Sequence, residues 1–302
     1  MRHAGGQGFG FIFMVGTQGG SLLDVTFFGV RGSTPTACEQ TRRYGGNTAC
    51  VALQVADEPP LLLDLGTGLR FFGETQPEDG SFRGAALVSH LHWDHVQGLP
   101  FFVPILRPGA SFDIYAPSQE DGRSVAEAFD AFMRAPYFPV GIAQLPGEIR
   151  FHDLDEGPVK IGAALVTALS IPHVGRTFGY RIEWAGASVA YLPDHQQPAD
   201  GGFAVSEAAL ELADGVDLLI HDAQYTVPEF AKKSNWGHCT YEYAMWVAKR
   251  ARVGSVALFH HDPIRSDDAL DEVLRCCEQF ADRTGVVVTA ASEGQRISLG
   301  AA

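Results

Sequence analysis

Short apolar runs recur along the chain, and most end in glycine, proline or a polar turn. Runs that alternate with polar residues are typical of half-buried β-strands, and runs that are apolar throughout are typical of strands buried on both faces. The pattern predicts strands at residues 24–30, 50–55, 61–63, 85–88, 112–116, 163–171, 178–182, 188–192, 217–220, 255–259, 286–289 and 296–299.

Apolar residues three or four positions apart predict helices. In the first helix Val125, Phe129 and Phe132 share one face, which we expect to pack on the core. Thr240 is the predicted N-cap of the third helix, residues 241–251. Residues 101–106, which contain a proline, are predicted to be extended. The predicted helices are residues 123–133, 206–213, 241–251 and 267–282.

Histidines and aspartates stand just after several predicted strands. Strands mostly precede helices in two successive halves, and no linker follows residue 21. The sequence alone therefore predicts a single α/β domain with its chemistry along one edge. The residues after strands are Asp64, the cluster at 90–95, His173, Asp194, His221 and Asp222, and His260 and His261.

The densest cluster is His90-Leu-His92-Trp-Asp94-His95, an H-x-H-x-D-H pattern. Histidine is the commonest metal ligand, and neutral imidazole with carboxylate suits zinc and other transition metals. Alternation would direct His90 and His92 to one point and Asp94 and His95 to a second, so one loop can supply two adjacent cations. The alternative is a histidine-rich surface loop, which the further candidate ligands downstream disfavour.

H-x-H-x-D-H, with Asp64 in an upstream D-x-G-x-G, resembles the metallo-β-lactamase superfamily of binuclear metallohydrolases. The resemblance runs from residue 25 to the end of the chain. It implies a four-layer αββα sandwich in one domain, residues 22–302. It also implies two divalent cations, with zinc as the default and manganese or iron as alternatives.

The same resemblance implies a ligand set. His260 is preferred to His261 as the last ligand, because an apolar strand ends directly at His260 and Pro263 follows three residues on. Asp64 would lie beneath the metal loop and orient it, the alternative being a simple turn cap. The implied ligands are His90, His92 and His173 for the first cation, Asp94, His95 and His260 for the second, and a bridging Asp194.

A second, narrower resemblance concerns Gly237-His238-Cys239-Thr240, preceded by His221-Asp222. It is similar to the G-H-S-T segment and upstream acidic pair of the tRNase Z-like phosphodiesterases. It implies that His238 stabilises the transition state or protonates the leaving oxygen, that Asp222 orients His238, and that Asp94 completes the catalytic set. Cys239 replaces the serine of that branch but keeps its small size. The alternative is that His238 merely caps its helix.

Together these features favour a binuclear metal-dependent phosphodiesterase that uses a metal-bound hydroxide on a small phosphodiester such as a cyclic nucleotide. The alternative is a hydrolase of carboxylic esters, lactones or thioesters with the same fold. A non-catalytic binding module is least favoured, because no expected ligand is missing.

The net charge of the chain argues against some classes of binding partner. The chain of 302 residues has 22 lysines and arginines against 36 acidic residues, a net charge of −14. Such a charge repels phosphate backbones and argues against stable nucleic-acid binding. A small anionic substrate remains compatible, because cations in the site supply positive charge. Some loop residues could reach that substrate, although purely structural turns explain them equally well. They are Arg31, Ser33, Asn47 and Thr48. His221 is a further candidate neighbour of the site.

The cysteines, the lengths of the apolar runs and the first 21 residues give expectations about the cellular compartment. Five cysteines, an odd number without a C-x-x-C pair, indicate a reducing compartment, the cytoplasm. No apolar run reaches the length of a membrane span, and a homodimer is left open. Residues 1–21 are interpreted as a flexible leader or a cloning remnant, because their apolar part is short and interrupted by glycine.

Overall fold

The computed structural model of the protein describes residues 22–300, without the side chains of residues 283 and 284. The predicted leader, residues 1–21, lies outside the described residues. Two β-sheets form the centre of the described chain, and each has seven strands.

The first sheet joins the amino-terminal half of the chain to the last strand. Its order is β14-β1-β2-β3-β4-β5-β6, and the pairs from β3 to β6 are parallel. The strands are β1 (Leu23–Gly29), β2 (Cys50–Gln54), β3 (Leu61–Leu63), β4 (Arg83–Leu87), β5 (Ser111–Pro117), β6 (Glu148–Leu154) and β14 (Arg296–Leu299).

The second sheet is built from the carboxyl-terminal half. Its order is β13-β12-β11-β10-β9-β8-β7, antiparallel from β7 to β10 and parallel from β10 to β13. The strands are β7 (Gly157–Ile161), β8 (Ala164–Ser170), β9 (Phe178–Trp184), β10 (Ala187–Leu192), β11 (Leu218–Asp222), β12 (Ser255–Phe259) and β13 (Val287–Ala290).

Helices cover the outer face of each sheet. They are α1 (Leu69–Glu74), α2 (Trp93–Val96), α3 (Val125–Phe132), α4 (Glu207–Ala213), α5 (Val227–Lys233), α6 (Tyr241–Arg250) and α7 (Asp267–Thr284). Phe72 and Phe129 attach α1 and α3 to the first sheet, and Leu212 and Val247 attach α4 and α6 to the second.

A core of alternate apolar side chains from both sheets fills the space between them, with residues such as Phe27, Leu63, Tyr180 and Phe259 fully buried. Two sheets with a common core and helices outside are the predicted four-layer αββα sandwich, in one domain. The fold prediction is confirmed.

The parallel strands bring the candidate ligands together. The carboxyl ends of neighbouring parallel strands lie at the same edge of a sheet, which is where α/β proteins place their sites. In this chain β3 and β4 of the first sheet and β10, β11 and β12 of the second end there. The candidate residues at these strand ends are Asp64, His90, Asp194 and His260, which follow their strands, and His221 and Asp222, which are the last two residues of β11.

The prediction of an extended segment at residues 101–106 is wrong. Leu99–Phe101 and Val103–Leu106 form two 3₁₀ helices, each with proline in its first turn. Proline tolerates that position because its fixed φ suits a helical start and its missing N–H has no helical partner there.

The sequence-based predictions also omit β6, β7, α1, α2 and α5. β6 and β7 are partly exposed edge strands with weak apolar alternation. The sequence does carry a signal for α5, because Thr226 and Glu229 form a capping box around Pro228.

Candidate metal centre

The loop after β4 carries the H-x-H-x-D-H residues in two backbone conformations. His92 is extended (φ −64°, ψ 150°) and precedes α2, whereas Asp94 and His95 lie inside that single helical turn. His90 Nε2 lies 2.8 Å from His92 Nδ1. His95 Nε2 lies 3.3 Å from Asp94 Oδ2. The loop therefore presents two pairs of side chains, as the sequence predicts.

His173 joins the first pair from the loop after β8. Its Nε2 lies 3.3 Å from His92 Nδ1. Nitrogens of His90, His92 and His173 all lie within 4.8 Å of one another. Three imidazole nitrogens at this separation can hold one cation.

His260 joins the second pair from the end of β12. Its Nε2 lies 3.1 Å from Asp94 Oδ2, and candidate ligand atoms of Asp94, His95 and His260 lie within 4.8 Å of one another. His261 instead directs its Nε2 to the carbonyl oxygen of Ala291, at 2.9 Å. The geometry favours His260 over His261 as the ligand.

Asp194, after β10, lies between the two groups. Its Oδ2 is 3.1 Å from His95 Nε2 and 3.4 Å from His260 Nε2, and its Oδ1 is 3.8 Å from His173 Nε2. This is the position that a bridging carboxylate requires.

Two buried atoms of this cluster indicate what it holds. His95 Nε2 and Asp194 Oδ2 have no hydrogen-bond partner among the described residues, although both are inaccessible to solvent. Buried polar atoms are nearly always paired, so unpaired ones need a reason. Imidazole nitrogens and carboxylate oxygens converging on one point suit divalent transition cations. The residues present therefore fit metal ions.

The other ring nitrogen of most of the candidate histidines is held in place. Such outer contacts fix the tautomer and the ring orientation of a ligand. The contacts from Nδ1 are His90 to Ser89 Oγ at 3.0 Å, His95 to Asp64 Oδ2 at 2.7 Å, His173 to Gly237 O at 2.7 Å and His260 to Gln224 Oε1 at 2.8 Å.

Asp64 lies beneath the metal loop, as expected for an orienting residue. It is fully buried and accepts hydrogen bonds from the Ser89 backbone N–H (2.7 Å), the Ser89 hydroxyl (2.9 Å) and the Tyr191 hydroxyl (2.7 Å), besides its contact with His95. A turn cap alone would not need these four contacts. Its role in orienting His95 stays a prediction.

Asp64 and His260 share an unusual backbone conformation. Their φ angles are 58° and 56°, in the left-handed region that residues other than glycine seldom adopt. Such strain persists where the surrounding structure imposes it, most often at functional sites. Here it turns the chain sharply at the ends of β3 and β12 and directs both side chains into the cluster.

The candidate ligand histidines form two sets, which differ in the direction of their pKa shift. Burial lowers the pKa of His90 well below its usual value, and it also lowers the pKa values of His92 and His173. Burial opposes protonation of His260 too, but the carboxylates around it outweigh that effect and raise its pKa to about 10. The same balance raises the pKa of His95. Cation binding at the second group would therefore release protons.

His238 and Asp222 lie against the cluster. Asp222 Oδ2 accepts from His238 Nδ1 at 2.8 Å, and Asp222 Oδ1 accepts from the Cys239 backbone N–H at 3.0 Å. The His238 ring stacks on the His260 ring with centroids 5.0 Å apart. Thr240, not His238, caps α6, because the Thr240 side chain accepts from the Tyr243 backbone N–H. The capping alternative for His238 is therefore wrong.

Comparison with known proteins agrees with this geometry. The family model of the β-lactamase superfamily domain matches residues 63–261, a segment that contains every candidate ligand. The chain belongs to the metallo-β-lactamase superfamily. It is a hydrolase of that superfamily with a metal-binding site.

Individual relatives support the same assignment. Ribonuclease Z of Natronomonas pharaonis is 27% identical over 281 residues, which cover 79% of this chain and 86% of that protein. Among solved structures, the metallo-β-lactamase fold protein YhfI from Bacillus subtilis has a TM-score of 0.69 at 19% identity, over 92% of this chain and all of YhfI. The short form of human tRNase Z has a TM-score of 0.61 at 22% identity, over 92% of this chain and all of that chain.

Two glycines make room for the rings of candidate ligands: Gly32, which no sequence motif indicates, and Gly237, which opens the Gly237-His238-Cys239-Thr240 segment. A Cβ atom on Gly32 would lie 2.2 Å from the His260 ring. A Cβ atom on Gly237 would lie 2.4 Å from the His173 ring, and Gly237 has a φ of 95°. Since both contacts are far closer than van der Waals distance, these rings occupy their positions only beside glycine.

Gly32→Ala is expected to push His260 away from Asp94 and to weaken metal binding by about 10- to 100-fold, the range seen when support of a ligand is lost. Zinc affinity by competition with a chromogenic chelator measures the effect. Gly141→Ala is the matched control, because the nearest atom to its new Cβ is 3.7 Å away. Unchanged affinity in Gly32→Ala would contradict the assignment of His260.

The prediction that Arg31 contacts substrate is wrong. Its side chain is fully buried and donates to the carbonyl oxygens of Gly45 (2.8 Å) and Arg265 (2.8 Å), and it lies 3.6 Å from Asp267 Oδ1. A guanidinium enclosed in this way cannot meet a ligand that arrives from solvent. Arg31 holds loops together, which is the structural alternative.

The neighbouring loop residues differ from one another. Asn47 Nδ2 donates to Glu293 Oε2 at 3.0 Å, and Thr48 is fully buried, so both serve the loop itself. Ser33 is exposed, and its backbone N–H donates to Asp94 Oδ2 at 2.6 Å. Ser33 is therefore the loop residue that reaches the cluster.

His221 lies behind Asp222 rather than at the substrate. It is fully buried and contacts His195 Nδ1 through Nε2 at 2.9 Å and the carbonyl oxygen of Asp222 through Nδ1 at 2.7 Å. Burial lowers the pKa of both His195 and His221 and so favours the neutral form of each imidazole.

A cleft of about 440 Å³ opens beside His90 and His92. It lies between the metal loop, the segment after β5, helix α3 and the loop after His173. Its lining includes the side chains of Trp93, Arg123, Phe132, Val174 and Arg176.

Among the described residues, no helix has the length and apolar character needed to cross a bilayer.

Proposed function

We propose that this metallo-β-lactamase superfamily chain is a binuclear metal-dependent phosphodiesterase that acts on a small phosphodiester such as a cyclic nucleotide. The observation that carries the proposal is the contact of 2.8 Å between His238 and the buried Asp222, against a cluster of imidazoles and carboxylates. Acyl hydrolysis on this fold does not need such a pair.

The residues would hold two divalent cations, zinc by default with manganese or iron as alternatives. His90, His92 and His173 would bind the first, and Asp94, His95 and His260 the second, with Asp194 shared. Cations held by these residues would supply positive charge for the oxygens of a phosphodiester and would lower the pKa of the attacking water.

His238 would supply the proton that the leaving oxygen needs. Its Nδ1 is held by Asp222, which leaves Nε2 as the nitrogen available to a substrate. Asp222 is fully buried, and its carboxylate fixes the orientation of the His238 ring through Nδ1. A positioned general acid of this kind contributes typically about 10²–10⁴ in rate.

Charge and size support a small substrate rather than RNA. One relative at 27% identity is named ribonuclease Z, and this supports a phosphodiester as the substrate class. The net charge of −14 opposes a polyanionic strand, and the cleft of about 440 Å³ is in the range of small-molecule sites.

The cytoplasm is the compartment that fits the proposal. The cysteines at positions 38, 50, 239, 276 and 277 are all free. A chain that keeps five thiols unpaired is suited to reducing conditions.

A substrate panel tests the proposal. The protein is purified without added metal, loaded with zinc or with manganese, and assayed on bis-p-nitrophenyl phosphate, cyclic AMP, p-nitrophenyl acetate, a lactone and a thioester. We expect turnover of the two phosphodiesters, loss of that turnover with a chelator, and its return with metal. Turnover of the lactone or thioester with none of either phosphodiester would show the acyl hydrolase instead.

A further inference from the structure

We propose that the cleft beside His90 and His92 binds the flat, uncharged part of the substrate, a nucleobase, and that the Trp93 ring is its stacking surface. This inference rests on the proposed phosphodiesterase function and names the group that such a substrate carries. It makes Trp93 a specificity-determining residue within the metal loop.

The position of Trp93 is the first support. Trp93 is 75% exposed and Val174 is 50% exposed, and both line the cleft. Each directly follows a candidate ligand, His92 or His173, and neighbouring Cα atoms are only about 3.8 Å apart. A group held between these two side chains therefore lies beside the first cation position.

Helix α3 adds apolar side chains to the lining of the cleft. Phe132 of α3 faces the same cleft, and the buried Phe129 of that helix also contributes. The start of α3 is fixed by a capping box between Ser124 and Glu127. An exposed indole in a cleft that phenylalanine side chains also line suits a planar ligand group.

The charges of the cleft disfavour a second phosphate as its occupant. Arg123 lies 2.6 Å from Asp121, and Arg176 donates to the Ser118 carbonyl oxygen at 3.2 Å and lies 3.7 Å from Asp155. Both arginines are engaged, and Asp121 adds negative charge to the lining. The pairing of both arginines therefore favours an uncharged group in the cleft, and the reacting phosphodiester beside the cation ligands is the anionic part of the substrate.

Stacking is the interaction that recognises such a group. Every nucleobase has a π face, and an aromatic side chain binds it with little dependence on which base it is. The expected substrates are thus cyclic phosphodiesters that carry a base, purine or pyrimidine, in preference to base-free phosphodiesters.

Trp93→Leu and Trp93→Phe test the inference in the metal-loaded protein. The probes are cyclic AMP and trimethylene phosphate, a base-free phosphodiester with the same six-membered ring. We expect Trp93→Leu to raise KM for cyclic AMP about tenfold or more, since stacking is lost, with little change in kcat. Trp93→Phe keeps a ring and should stay near wild type. Neither variant should change kcat/KM for trimethylene phosphate.

Tyr137→Leu is the matched control, because Tyr137 is 82% exposed and lies outside the cleft lining. Equal kinetics of wild type, Trp93→Leu and Trp93→Phe on cyclic AMP would overturn the inference, as would the same loss on both probes with metal content unchanged. A wild-type protein that cleaves neither probe would instead overturn the phosphodiesterase proposal, so the two failures are distinguishable.

Discussion

His238→Ala is expected to lower kcat for cyclic AMP by about 10²–10⁴ while metal content stays at the wild-type level. The ribose oxygen that leaves from cyclic AMP is a poor leaving group and needs a proton, which the imidazole of His238 would donate. The p-nitrophenolate ion leaves without a proton, so the loss on bis-p-nitrophenyl phosphate should be much smaller. Steady-state kinetics on both substrates, with elemental analysis of each preparation, measures this difference.

Comparing the loss of kcat on cyclic AMP with the loss on bis-p-nitrophenyl phosphate distinguishes proton donation by His238 from its other roles. Atoms of Asp194, Asp222, His238 and His260 also lie within 4.8 Å of one another, a second arrangement that could hold a cation. Loss of bound metal in His238→Ala, or equal loss on both substrates, would contradict the general-acid role. His152→Ala is the control, because His152 pairs with Asp113 away from the cluster.

Asp194→Asn is expected to abolish turnover of every substrate and to reduce bound metal below two ions per chain. The substitution keeps the volume of a fully buried side chain but removes the charge that both ligand groups share. Loss of partners that merely support ligands costs about 10- to 100-fold in metal affinity or activity. Asp194 contacts both groups directly, so we expect a loss of at least about 100-fold.

Elemental analysis and kinetics on the same preparations measure the effect of Asp194→Asn, and thermal unfolding checks that the fold persists. Asp57→Asn is the matched control, since Asp57 is exposed and its φ of 62° suits asparagine. An Asp194→Asn protein with full metal content and normal turnover would show that Asp194 does not bridge.

The convergence of distant residues was predictable because it depends on element order. His90, Asp194 and His260 each follow an apolar strand, and the parallel pairing of β10 with β11 and β12 brings two of these strand ends to one edge. Apolar runs of this kind are the strongest signal that a sequence carries. The relation between His90 and His95 was predictable for a local reason, since the two residues belong to one loop.

The supporting contacts were not predictable, because they depend on the paths of loops. Gln224 reaches His260 Nδ1 from the segment after β11, and the carbonyl oxygen of Gly237 reaches His173 from the segment before α6. Neither residue type indicates a ligand support on its own. Gly32 is similar, since its need to be glycine appears only once the His260 ring lies against it.

For Arg31 the residue type itself led to the wrong prediction. An arginine in a loop suggests a binding site for anions, but its five N–H donors can equally be satisfied by carbonyl oxygens inside the protein. Here the partners include Asp262 and Arg265, more than 200 residues away in sequence (231 and 234 positions). Only the three-dimensional structure distinguishes these two uses of a guanidinium.

The most direct test of the two-cation centre is an anomalous difference map from crystals of the zinc-loaded protein at the zinc absorption edge. We expect two peaks about 3.5–4 Å apart, one beside His90, His92 and His173 and the other beside Asp94, His95 and His260, with Asp194 between them. A single peak, or peaks remote from Asp194, would contradict it.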